Sequence, residues 1–383
     1  MSHKFWDTQP VPQLADPSAT ETGPIEQPKI DVKSEPYPLP DAFTWVTLDT
    51  TDAAQMLEMQ TLMSEHYVED AYGYFRFDYS ADFIRWALQP PGTPKEWIVG
   101  VRAKASGKLV ACITGVIANM MMGTSATVPT AEINFLCVHK KLRAKRLAPV
   151  LIKEVTRRVN QRGIWQAVYT AGVSLPRPLA KAQYWHRSLN FKKLCEVEFT
   201  GVPPKSTMAQ QIRLLRLPES PSLGLKPMEA KHAKDVHALL HAKLAKFAFY
   251  QVFSVEEVKH LLLPRDGVIY TYVLEDANGS VTDFTSFYYL PSSVLKLPGD
   301  QKIKTVYNYY SAHSSVTSAK LAEEALIIAR DLGFDVFNAL DVLDNVQWLR
   351  DLKFGPGDGN LHYYAYNWQM PDLVASDLGL ILV

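Results

Sequence analysis

The feature that most constrains the fold is a succession of helix and strand patterns that occurs twice along the 383 residues. In each half the succession contains helices, a strand hairpin, a central strand, another helix and another strand. Helices and strands in alternation are typical of α/β proteins, and the hairpins add antiparallel pairs to the sheet. The sequence therefore predicts a mixed α/β (α+β) sheet made from two copies of one unit.

We place the N-terminal unit at 41–205, behind an arm formed by residues 1–40. Within this unit apolar residues at helical spacing follow Asp52, which is a candidate cap, and Ser80 can cap a second helix. The predicted helices are 52–67, 80–88, 148–161 and a short one near 180–187; the predicted strands are 97–104, 109–117, 131–138, 166–170 and 191–199.

The C-terminal unit is placed at 206–383, because prolines and serines cluster where it begins. The pair Asn278-Gly279 is a strong hairpin signal, and Gly333 is a normal residue to follow the end of a helix. The predicted helices are 230–246, 254–262 and 318–332; the predicted strands are 268–275, 281–289, 303–311, 334–340, 361–368 and 378–383.

The composition excludes several classes of protein. Forty basic and forty acidic residues balance, and 47% of the chain is hydrophobic, so it is neither disordered nor fibrous. A zero net charge argues against broad nucleic-acid binding. No apolar run is long enough to span a membrane, and no signal peptide opens the chain. Three distant cysteines without metal-ligand spacing indicate a reducing, cytoplasmic location.

The arm 1–40 contains eight prolines and is therefore not expected to form a regular helix. Two adjacent aromatic residues, Phe5 and Trp6, lie within it. They indicate either a hydrophobic anchor for the N-terminus or a lid over a ligand, and the sequence leaves both interpretations open.

The most informative motif is an apolar strand, Ala131–His139, that runs into a basic loop and then into a helix with Pro149 in its first turn. Five basic residues lie within positions 140–146. Unpaired N–H groups at a helix N-terminus, together with Lys and Arg side chains, can bind phosphate groups. The alternative is a solvated run of charges. Glycine-rich phosphate-loop spacing is absent, which argues against an ATPase or GTPase.

Seven blocks of sequence resemble the eukaryotic glycylpeptide N-myristoyltransferase family, in the same order and over nearly the whole chain. The resemblance implies two fused N-acyltransferase-like units with a pseudo-two-fold relation. It also implies transfer of myristoyl from myristoyl-CoA to an N-terminal glycine, with acyl-CoA bound first. The blocks are Phe5–Val11, Glu132–His139, Arg146–Glu154, Ala167–Val173, Tyr184–Asn190, Gly333–Leu340 and Lys353–Gly359.

The resemblance assigns acyl-CoA binding to the arm and to the region of the basic loop. The arm would cover the nucleotide, and the loop and the helix start would contact the pyrophosphate. Ala144 stands where the family commonly has Ser, so one hydroxyl contact to phosphate would be missing. The implied residues are Lys4, Phe5, Trp6, Phe135, Leu136, Cys137, Val138, Arg143, Ala144, Lys145, Arg146, Leu147 and Ala148.

The same resemblance assigns the chemistry to few groups. A thioester is already activated, so the enzyme must stabilise an oxyanion and deprotonate the glycine ammonium. The backbone N–H groups of Phe135 and Leu136 would meet the oxyanion, and Asn134 and Thr170 would hold the amine. The α-carboxylate of Val383 would be the base. The alternative for the apolar tail 378–383 is a core strand with a solvated terminus.

A peptide groove is implied by further matches. Its aromatic residues would form walls, and a few polar groups would set the register. Ala71 and Tyr72 replace acids of many relatives, which predicts a weaker preference for basic residues downstream in the peptide. The implied residues are Tyr67, Val68, Asp70, Phe75, Phe77, Tyr79, Thr170, Gly172, Tyr184, His186, Ser292, Tyr307, Asn338, Asp358 and Gly359.

A cysteine and a group of histidines are two further candidates for chemistry. Cys137 with His139 nearby could form an acyl-enzyme, but a thioester donor gains little from a second thioester, so we expect a buried apolar residue. His232, His237 and His241 lie at helical spacing without a third ligand pattern, and we expect a solvated face. No metal is expected, and no cofactor other than myristoyl-CoA as co-substrate.

The sequence is therefore interpreted as a protein N-myristoyltransferase. One alternative is an acyltransferase for another acyl chain or another amine, including lysine side chains; the other is an inactive member that binds acyl-CoA or peptides. We expect a cytoplasmic monomer that associates with ribosomes and binds N-terminal glycine peptides. Met1-Ser2-His3 begins close to the family's catalytic core, and relatives often carry a basic extension ahead of it; the sequence leaves open whether such an extension is missing here.

Overall fold

The computed structural model of the chain describes residues 4–29, 31–70 and 73–383. Side chains cap α-helices at several N-termini, as the sequence predicts for Asp52, which accepts hydrogen bonds from the N–H groups of Ala54 and Gln55. Within the described residues the α-helices are α1 (Ala53–His66), α2 (Ala81–Leu88), α3 (Leu147–Asn160), α4 (Phe191–Glu196), α5 (Met208–Leu214), α6 (Ala233–Leu244), α7 (Val255–Leu262), α8 (Ser318–Asp331) and α9 (Val346–Leu349).

The β-strands of the described residues form one large sheet and one small one. They are β1 (Phe43–Thr47), β2 (Phe75–Phe77), β3 (Ile98–Ala103), β4 (Leu109–Met122), β5 (Val128–Val138), β6 (Gln166–Ala171), β7 (Ala180–Ser188), β8 (Lys226–Pro227), β9 (Phe249–Gln251), β10 (Ile269–Glu275), β11 (Val281–Tyr289), β12 (Ser292–Val294), β13 (Lys302–Ile303), β14 (Thr305–Ala312), β15 (Val336–Leu340), β16 (Gly355–Tyr366) and β17 (Leu378–Gly379).

The strand order of the large sheet has an internal symmetry. It runs β1-β3-β4-β5-β6-β16-β7-β15-β14-β11-β10-β8, and β9 and β17 extend it beside β4. In each half an antiparallel hairpin leads to a third strand, which a helix connects to a parallel neighbour: β5–α3–β6 in one half and β14–α8–β15 in the other. Read from its two ends, the order therefore passes through equivalent strands of the two halves in the same succession.

The two halves exchange one strand each at the centre of the sheet. β7 follows β6 in the chain but pairs with β15, and β16 pairs with β6. The two exchanged strands also pair with each other. This arrangement confirms the fold class predicted from the sequence, two fused units with a pseudo-two-fold relation, while the boundaries 41–205 and 206–383 stay a prediction.

One predicted pair of elements is wrong. The segment 180–187 is the strand β7 instead of a short helix, and 191–199 begins with the helix α4 instead of a strand. The two alanines and the lysine at 180–182 favour a helix by local propensity, but the segment lies between two partner strands, so pairing on both sides decides its conformation. Asn190 then caps α4 by accepting a hydrogen bond from Lys193 N–H.

The predicted strand 378–383 is also mostly wrong. Only Leu378 and Gly379 pair, parallel to β9, and the last four residues leave the sheet. The tail nevertheless stays in the protein, because Leu380, Ile381 and Leu382 are all buried. Its apolar character therefore reflects packing against the core rather than a place in a ladder.

The arm follows the predicted course without a regular α-helix in its described residues. It contains one short 3-10 turn, Trp6–Thr8, and is otherwise extended or bent. Asn367 N–H donates to the carbonyl of Pro10 at 2.7 Å, and Tyr37 N–H donates to the Glu154 carboxylate of α3 at 3.0 Å. The arm therefore crosses the edge of β16 and then the surface of α3. In the part of the chain that the structure describes, no helix is both long and apolar enough to cross a membrane.

We expect Gly333→Ala to destabilise the protein, because Gly333 ends α8 with φ of 79°. A side chain in this left-handed region costs about 1 kcal/mol. Gly201→Ala is the matched control, since that glycine has ordinary φ and no atom within 4 Å of an added Cβ. In chemical denaturation, the denaturant concentration at the unfolding midpoint should be lower than that of the wild type for Gly333→Ala and not for Gly201→Ala. Equal midpoints for the two variants would contradict the assigned helix end.

Candidate active site

The site begins where two parallel strands stop pairing. β5 and β6 pair at Thr130–Glu132 with Gln166–Val168, and the pairing ends there. β5 continues beside β4 to Val138, and β6 continues beside β16 to Ala171. An opening therefore forms between the two strands, near the middle of the large sheet.

A β-bulge lies on the β5 side of this opening. Cys112 pairs with Cys137 and Thr114 with Asn134, so Phe135 and Leu136 together face a single residue of β4. Phe135 has φ of 51°, a left-handed conformation that is uncommon outside glycine. A bulge leaves an extra residue unpaired in the ladder. The predicted oxyanion role of these two N–H groups requires such an interruption of the ladder, and it is present, although no local pattern indicated it.

Side chains of β4 hold the bulge in place. Thr114 Oγ1 donates to the carbonyl of Asn134 at 2.9 Å, and Cys112 Sγ donates to the carbonyl of Phe135 at 3.4 Å. Both carbonyl groups are therefore turned toward β4. The ring of Phe135 is buried and makes edge contacts with Tyr67 and Tyr79.

The predicted amine-binding residues flank the opening on one face of the sheet. Glu132 pairs with Val168, so Asn134 and Thr170, each two residues further along, lie on the same face as that pair. Thr170 in turn pairs with Tyr363, which therefore shares this face. The two residues that the sequence assigned to holding the amine lie on opposite sides of one opening.

The C-terminal tail packs under the same face. The Tyr363 hydroxyl donates to the carbonyl of Leu380 at 3.0 Å, and Ile381 N–H donates to the Tyr310 hydroxyl at 3.0 Å. Two buried tyrosines from different strands thus hold the backbone just before the chain end. Val383 itself is half-buried and packs against the main core. The terminus is anchored rather than frayed.

The basic loop forms a 3-10 helix, Lys140–Lys145, directly before α3. Arg146 lies between the two helices with φ of 56°, and no side chain caps the first turn of α3. Pro149 is the third residue of α3, as the sequence predicted. The amides of Leu147 and Ala148 are therefore left without a side-chain acceptor, which is the arrangement that binds phosphate.

The basic side chains of this loop differ in what they contact. The Arg143 guanidinium donates to the carbonyl of His66, and the Lys140 ammonium pairs with Glu69. Lys145 and Arg146 are exposed and form no ion pair with any described residue. These two remain available for a phosphate, whereas Arg143 is already engaged with backbone. The side chain of Ala144, which lacks the family hydroxyl, lies outside the described residues.

The arm places its first aromatic residues against β6. The Trp6 ring is buried and stacks on Tyr169 at 5.6 Å between centroids, and Tyr169 stacks on Tyr364 at 5.0 Å. Phe5 contacts Trp6 edge to face, and Lys4 is exposed. The geometry supports the interpretation of Trp6 as a hydrophobic anchor. Adjacent residues of a strand point to opposite faces, so Trp6, which stacks on Tyr169, lies on the face of β6 opposite to Thr170.

The predicted groove residues of the exchanged strands share the face of the opening. His186 pairs with Asn338, and Asn338 pairs with Tyr307 on the next strand. His186 Nδ1 lies 2.7 Å from Asn338 Oδ1, and Tyr184 contacts Tyr307 edge to face. The structure thus brings together four residues from both halves of the chain that the resemblance assigned to one groove.

Burial lowers the pKa of His186, while the hydrogen bond with Asn338 and the charge of Asp358 act in the opposite direction. The histidine is therefore mainly neutral near pH 7. Asp358 and Gly359 are exposed and lie in an irregularity of β16, between residues that pair with β7. They reach the groove from its rim.

A second wall comes from residues 67–70 and 73–79. The ring of Phe77 contacts Tyr307, and that of Phe75 contacts Phe199, which also contacts His186. Ser292 pairs with Phe77 in the small sheet β13-β12-β2. Tyr67 and Tyr79 pack on each other and on the bulge.

The other predicted groove residues contribute less. The Asp70 carboxylate accepts hydrogen bonds from the N–H groups of Tyr74 and Phe75, so it shapes this turn. Val68 is 45% exposed, and Gly172 is exposed at the end of β6. Ala71 and Tyr72, on which the predicted peptide preference depends, lie outside the described residues.

The cysteine alternative is not supported by the geometry. Cys137 is buried, and burial raises the pKa of its thiol to about 12. Its Sγ lies 3.8 Å from the carbonyl of Leu62, whereas the ring of His139 packs on His66 with centroids 3.9 Å apart. A thiol that stays protonated at neutral pH is a poor nucleophile.

The histidine prediction needs a correction. His232 is only 2% exposed, and its Nε2 lies 2.6 Å from the carboxylate of Glu275. His237 Nε2 lies 2.9 Å from the carbonyl of Phe253, and only His241 is exposed. The first histidine precedes α6 rather than continuing its outer face, which the spacing could not reveal. Among the described residues no group of three His, Cys, Asp or Glu side chains could hold a metal ion.

Sequence reasoning missed one residue of the site. Glu132 is 8% exposed, and its carboxylate accepts a hydrogen bond from Asn134 Nδ2 at 2.6 Å. Burial raises the pKa of this carboxyl to about 7. A lone acid in an otherwise apolar strand, two residues before a polar site residue, was the available signal.

The chain matches one family over most of its length. Residues 24–182 match the model for the N-terminal domain of myristoyl-CoA:protein N-myristoyltransferase, and residues 196–378 match the C-terminal domain model. Glycylpeptide N-tetradecanoyltransferase 2 of Danio rerio is 49% identical over 99% of this chain and 77% of its own length. Glycylpeptide N-tetradecanoyltransferase 1 of Arabidopsis thaliana is 49% identical over 100% of this chain and 89% of its own.

Solved structures agree with the sequence comparison. The chain resembles Saccharomyces cerevisiae N-myristoyltransferase with bound myristoyl-CoA, with a TM-score of 0.94 and 38% identity over 100% of this chain and 99% of that one. A GCN5-related N-acetyltransferase from Anabaena variabilis matches with a TM-score of 0.50 and 11% identity, over 84% and 72% of the two chains. The second match shows a shared fold alone.

We expect the cysteines to differ in reactivity toward iodoacetamide at neutral pH. Burial raises the pKa of all three thiols, but Cys195 is only half-buried, whereas Cys112 and Cys137 are buried and closed to the reagent. Mass spectrometry of the native protein should find Cys195 modified at least ~10-fold faster. Rapid modification of Cys137 would show an accessible thiolate and would restore the acyl-enzyme alternative.

Proposed function

Since the chain belongs to the protein N-myristoyltransferase family and transfers a myristoyl group from myristoyl-CoA to the N-terminal glycine of proteins, we propose that the transfer takes place at the opening between β5 and β6. The observation that carries this proposal is the place of the C-terminal tail. Tyr363 and Tyr310 hold it under the face on which Asn134 and Thr170 flank the opening.

The reaction needs a proton acceptor and an oxyanion site. The glycine ammonium, with a pKa of about 8 in water, first loses a proton. The neutral nitrogen then attacks the thioester carbon and forms a C–N bond, and the carbonyl oxygen becomes an oxyanion. The C–S bond breaks, the nitrogen loses its second proton, and CoA leaves as the thiol.

The α-carboxylate of Val383 takes the first proton. The preceding residues Leu380–Leu382 are buried, which fixes the position of the chain end. No basic side chain among the described residues forms an ion pair with this carboxylate. A fixed, partly buried carboxylate is a better base than one in water.

The backbone N–H groups of Phe135 and Leu136 meet the oxyanion. The bulge places both residues opposite one residue of β4, and the pairing with β6 has already ended at Glu132. Thr114 and Cys112 hold the carbonyl groups of this segment toward β4. Donors fixed in advance stabilise a developing charge without reorganisation during the reaction.

Acyl-CoA binds with its phosphates at the start of α3. The uncapped amides of Leu147 and Ala148 and the free side chains of Lys145 and Arg146 support this assignment. Lys4, Phe5 and Trp6 bring the arm to the neighbouring strand β6, where the stack on Tyr169 anchors it.

Acyl-CoA binds before the peptide. The support for this order is a shared carboxylate, because Glu69 accepts from Lys140 of the basic loop and from Arg76 of the peptide wall. Phosphates that attract Lys140 would compete with Glu69 and change the contacts of the wall. Binding of acyl-CoA at the basic loop thus changes the contacts of the peptide site.

The protein acts in a reducing, cytoplasmic environment, which the three free cysteines support. The monomeric state, the association with ribosomes and the need for no further cofactor stay predictions from the sequence.

We expect a chain that ends in the Val383 carboxamide to lose at least ~10²-fold in acyl transfer, since the amide keeps the position of the terminus but is not a base. The amide can be made by ammonolysis of an intein thioester, and hydrolysis of the same thioester gives the matched acid control. Single-turnover kinetics should separate the two, with equal affinities for myristoyl-CoA. Equal transfer rates would exclude the carboxylate as the base.

We expect Arg146→Asn to weaken CoA binding by ~10- to 100-fold, the range for one charge-assisted hydrogen bond. Asn tolerates the left-handed backbone at this position, so the helix start should be kept. Lys104→Asn, which removes an exposed charge in the turn between β3 and β4, is the control. Titration calorimetry with CoA measures the difference, and an unchanged affinity for Arg146→Asn would move the phosphate site elsewhere.

A further inference from the structure

A buried carboxylate lies next to the amine site without a part in the mechanism above. Glu132 projects from β5 on the face of the opening, between pairing partners Val116 and Val168. Its side chain accepts one hydrogen bond from a described residue, the 2.6 Å bond from Asn134 Nδ2, and pairs with no basic group among them. Burial of a carboxylate is costly, so a specific use is expected of it.

The hydrogen bond decides which end of the Asn134 amide faces the opening. A carboxylate can only accept, so it holds the NH2 end, and the Oδ1 atom is left without a donor among the described residues. Oxygen is the end that can accept from an amine N–H. We propose that Glu132 is a positioning residue that turns the Asn134 oxygen toward the substrate amine, an inference that rests on the proposed role of Asn134.

The ionised form of Glu132 is the one that fixes the amide. A protonated carboxyl can also donate, and it could then bind Asn134 Oδ1 and turn the NH2 end toward the amine. Burial raises the pKa of Glu132 to about 7, so both forms occur near neutral pH. The amide would therefore lose its fixed orientation as the pH falls below 7.

Among the described residues, the titratable groups near Glu132 are two tyrosines of β14 and the end of the C-terminal tail. Burial raises the pKa values of Tyr309 and Tyr310 of β14, and the nearby charge of Glu132 adds to this, so both stay neutral. The tail packs on Tyr310 and ends in the α-carboxylate of Val383, an acid whose ordinary pKa is about 3.5. A kinetic change near pH 7 is therefore assigned to Glu132 where Glu132→Gln removes it, because that variant leaves the substrate amine and the Val383 carboxylate in place.

The experiment measures the single-turnover rate of acyl transfer to a glycine peptide from pH 5.5 to 9 for the wild type, Glu132→Gln, Asn134→Ala and the double variant. Gln keeps the shape but offers both a donor and an acceptor, so the amide can turn. We expect Glu132→Gln to be about tenfold slower at pH 8, the order of one hydrogen bond. The rate of this variant should also lack the change with pH that the wild type shows near pH 7. It should keep the change with pH that comes from deprotonation of the substrate amine.

The double variant separates this inference from the proposed function. In the Asn134→Ala background, Glu132→Gln should have no further effect, because the group that it positions is gone. If Asn134→Ala leaves the rate unchanged, the proposed role of Asn134 fails. If Asn134→Ala is slow but Glu132→Gln matches the wild type at every pH, only the positioning role fails.

The stability of Glu132→Gln, measured as a function of pH, shows whether the variant is folded. Because the folded pKa of about 7 lies above the ordinary value for Glu, the native state holds a proton that the unfolded chain has released, so wild-type stability falls as pH rises toward 7. Gln has no carboxyl group, so the variant lacks this fall in stability. The unfolding temperature of a folded variant should therefore fall less from pH 5.5 to pH 8 than that of the wild type. The wild-type rate profile is an independent test, since absence of any change near pH 7 would overturn the positioning role.

Discussion

The site depends on the point at which β5 and β6 stop pairing. Up to Glu132 and Val168 the two strands share backbone hydrogen bonds, and beyond it each strand pairs only with its other neighbour. An opening in a sheet exposes backbone N–H groups that a continuous ladder would consume. The bulge at Phe135 and the left-handed backbone there belong to the same interruption.

The exchange of β7 and β16 explains why one opening can serve two substrates. The exchanged strands carry residues of both halves onto one face of the sheet, so His186 of one half lies beside Asn338 of the other. Tyr169 of β6 and Glu154 of α3 belong to the first half, and both contact the arm. The proposed acyl-CoA and peptide sites therefore meet at the centre of the pseudo-two-fold sheet. The C-terminal tail reaches the same centre from the second half.

The sequence predicted what depends on local patterns and failed where pairing over long distances decides. Caps such as Asp52 and the succession of strand, basic loop and helix are local, and their positions hold to within a few residues. Segment 180–187 was assigned the wrong structure, because its place between two strands overrides its propensity. The site residues came from the resemblance to a family, not from periodicity. Glu132 escaped notice because its burial and its bond to Asn134 are tertiary facts.

In the proposed mechanism the chain terminus receives the proton of the incoming glycine. A crystal structure of the protein with a non-reactive thioether analogue of myristoyl-CoA and a glycine peptide would show whether the two groups meet. We expect the peptide nitrogen within hydrogen-bond distance of the Val383 carboxylate, and the analogue's carbonyl oxygen at the N–H groups of Phe135 and Leu136. A peptide nitrogen that contacts Glu132 or His186 instead, with Val383 turned away, would contradict it.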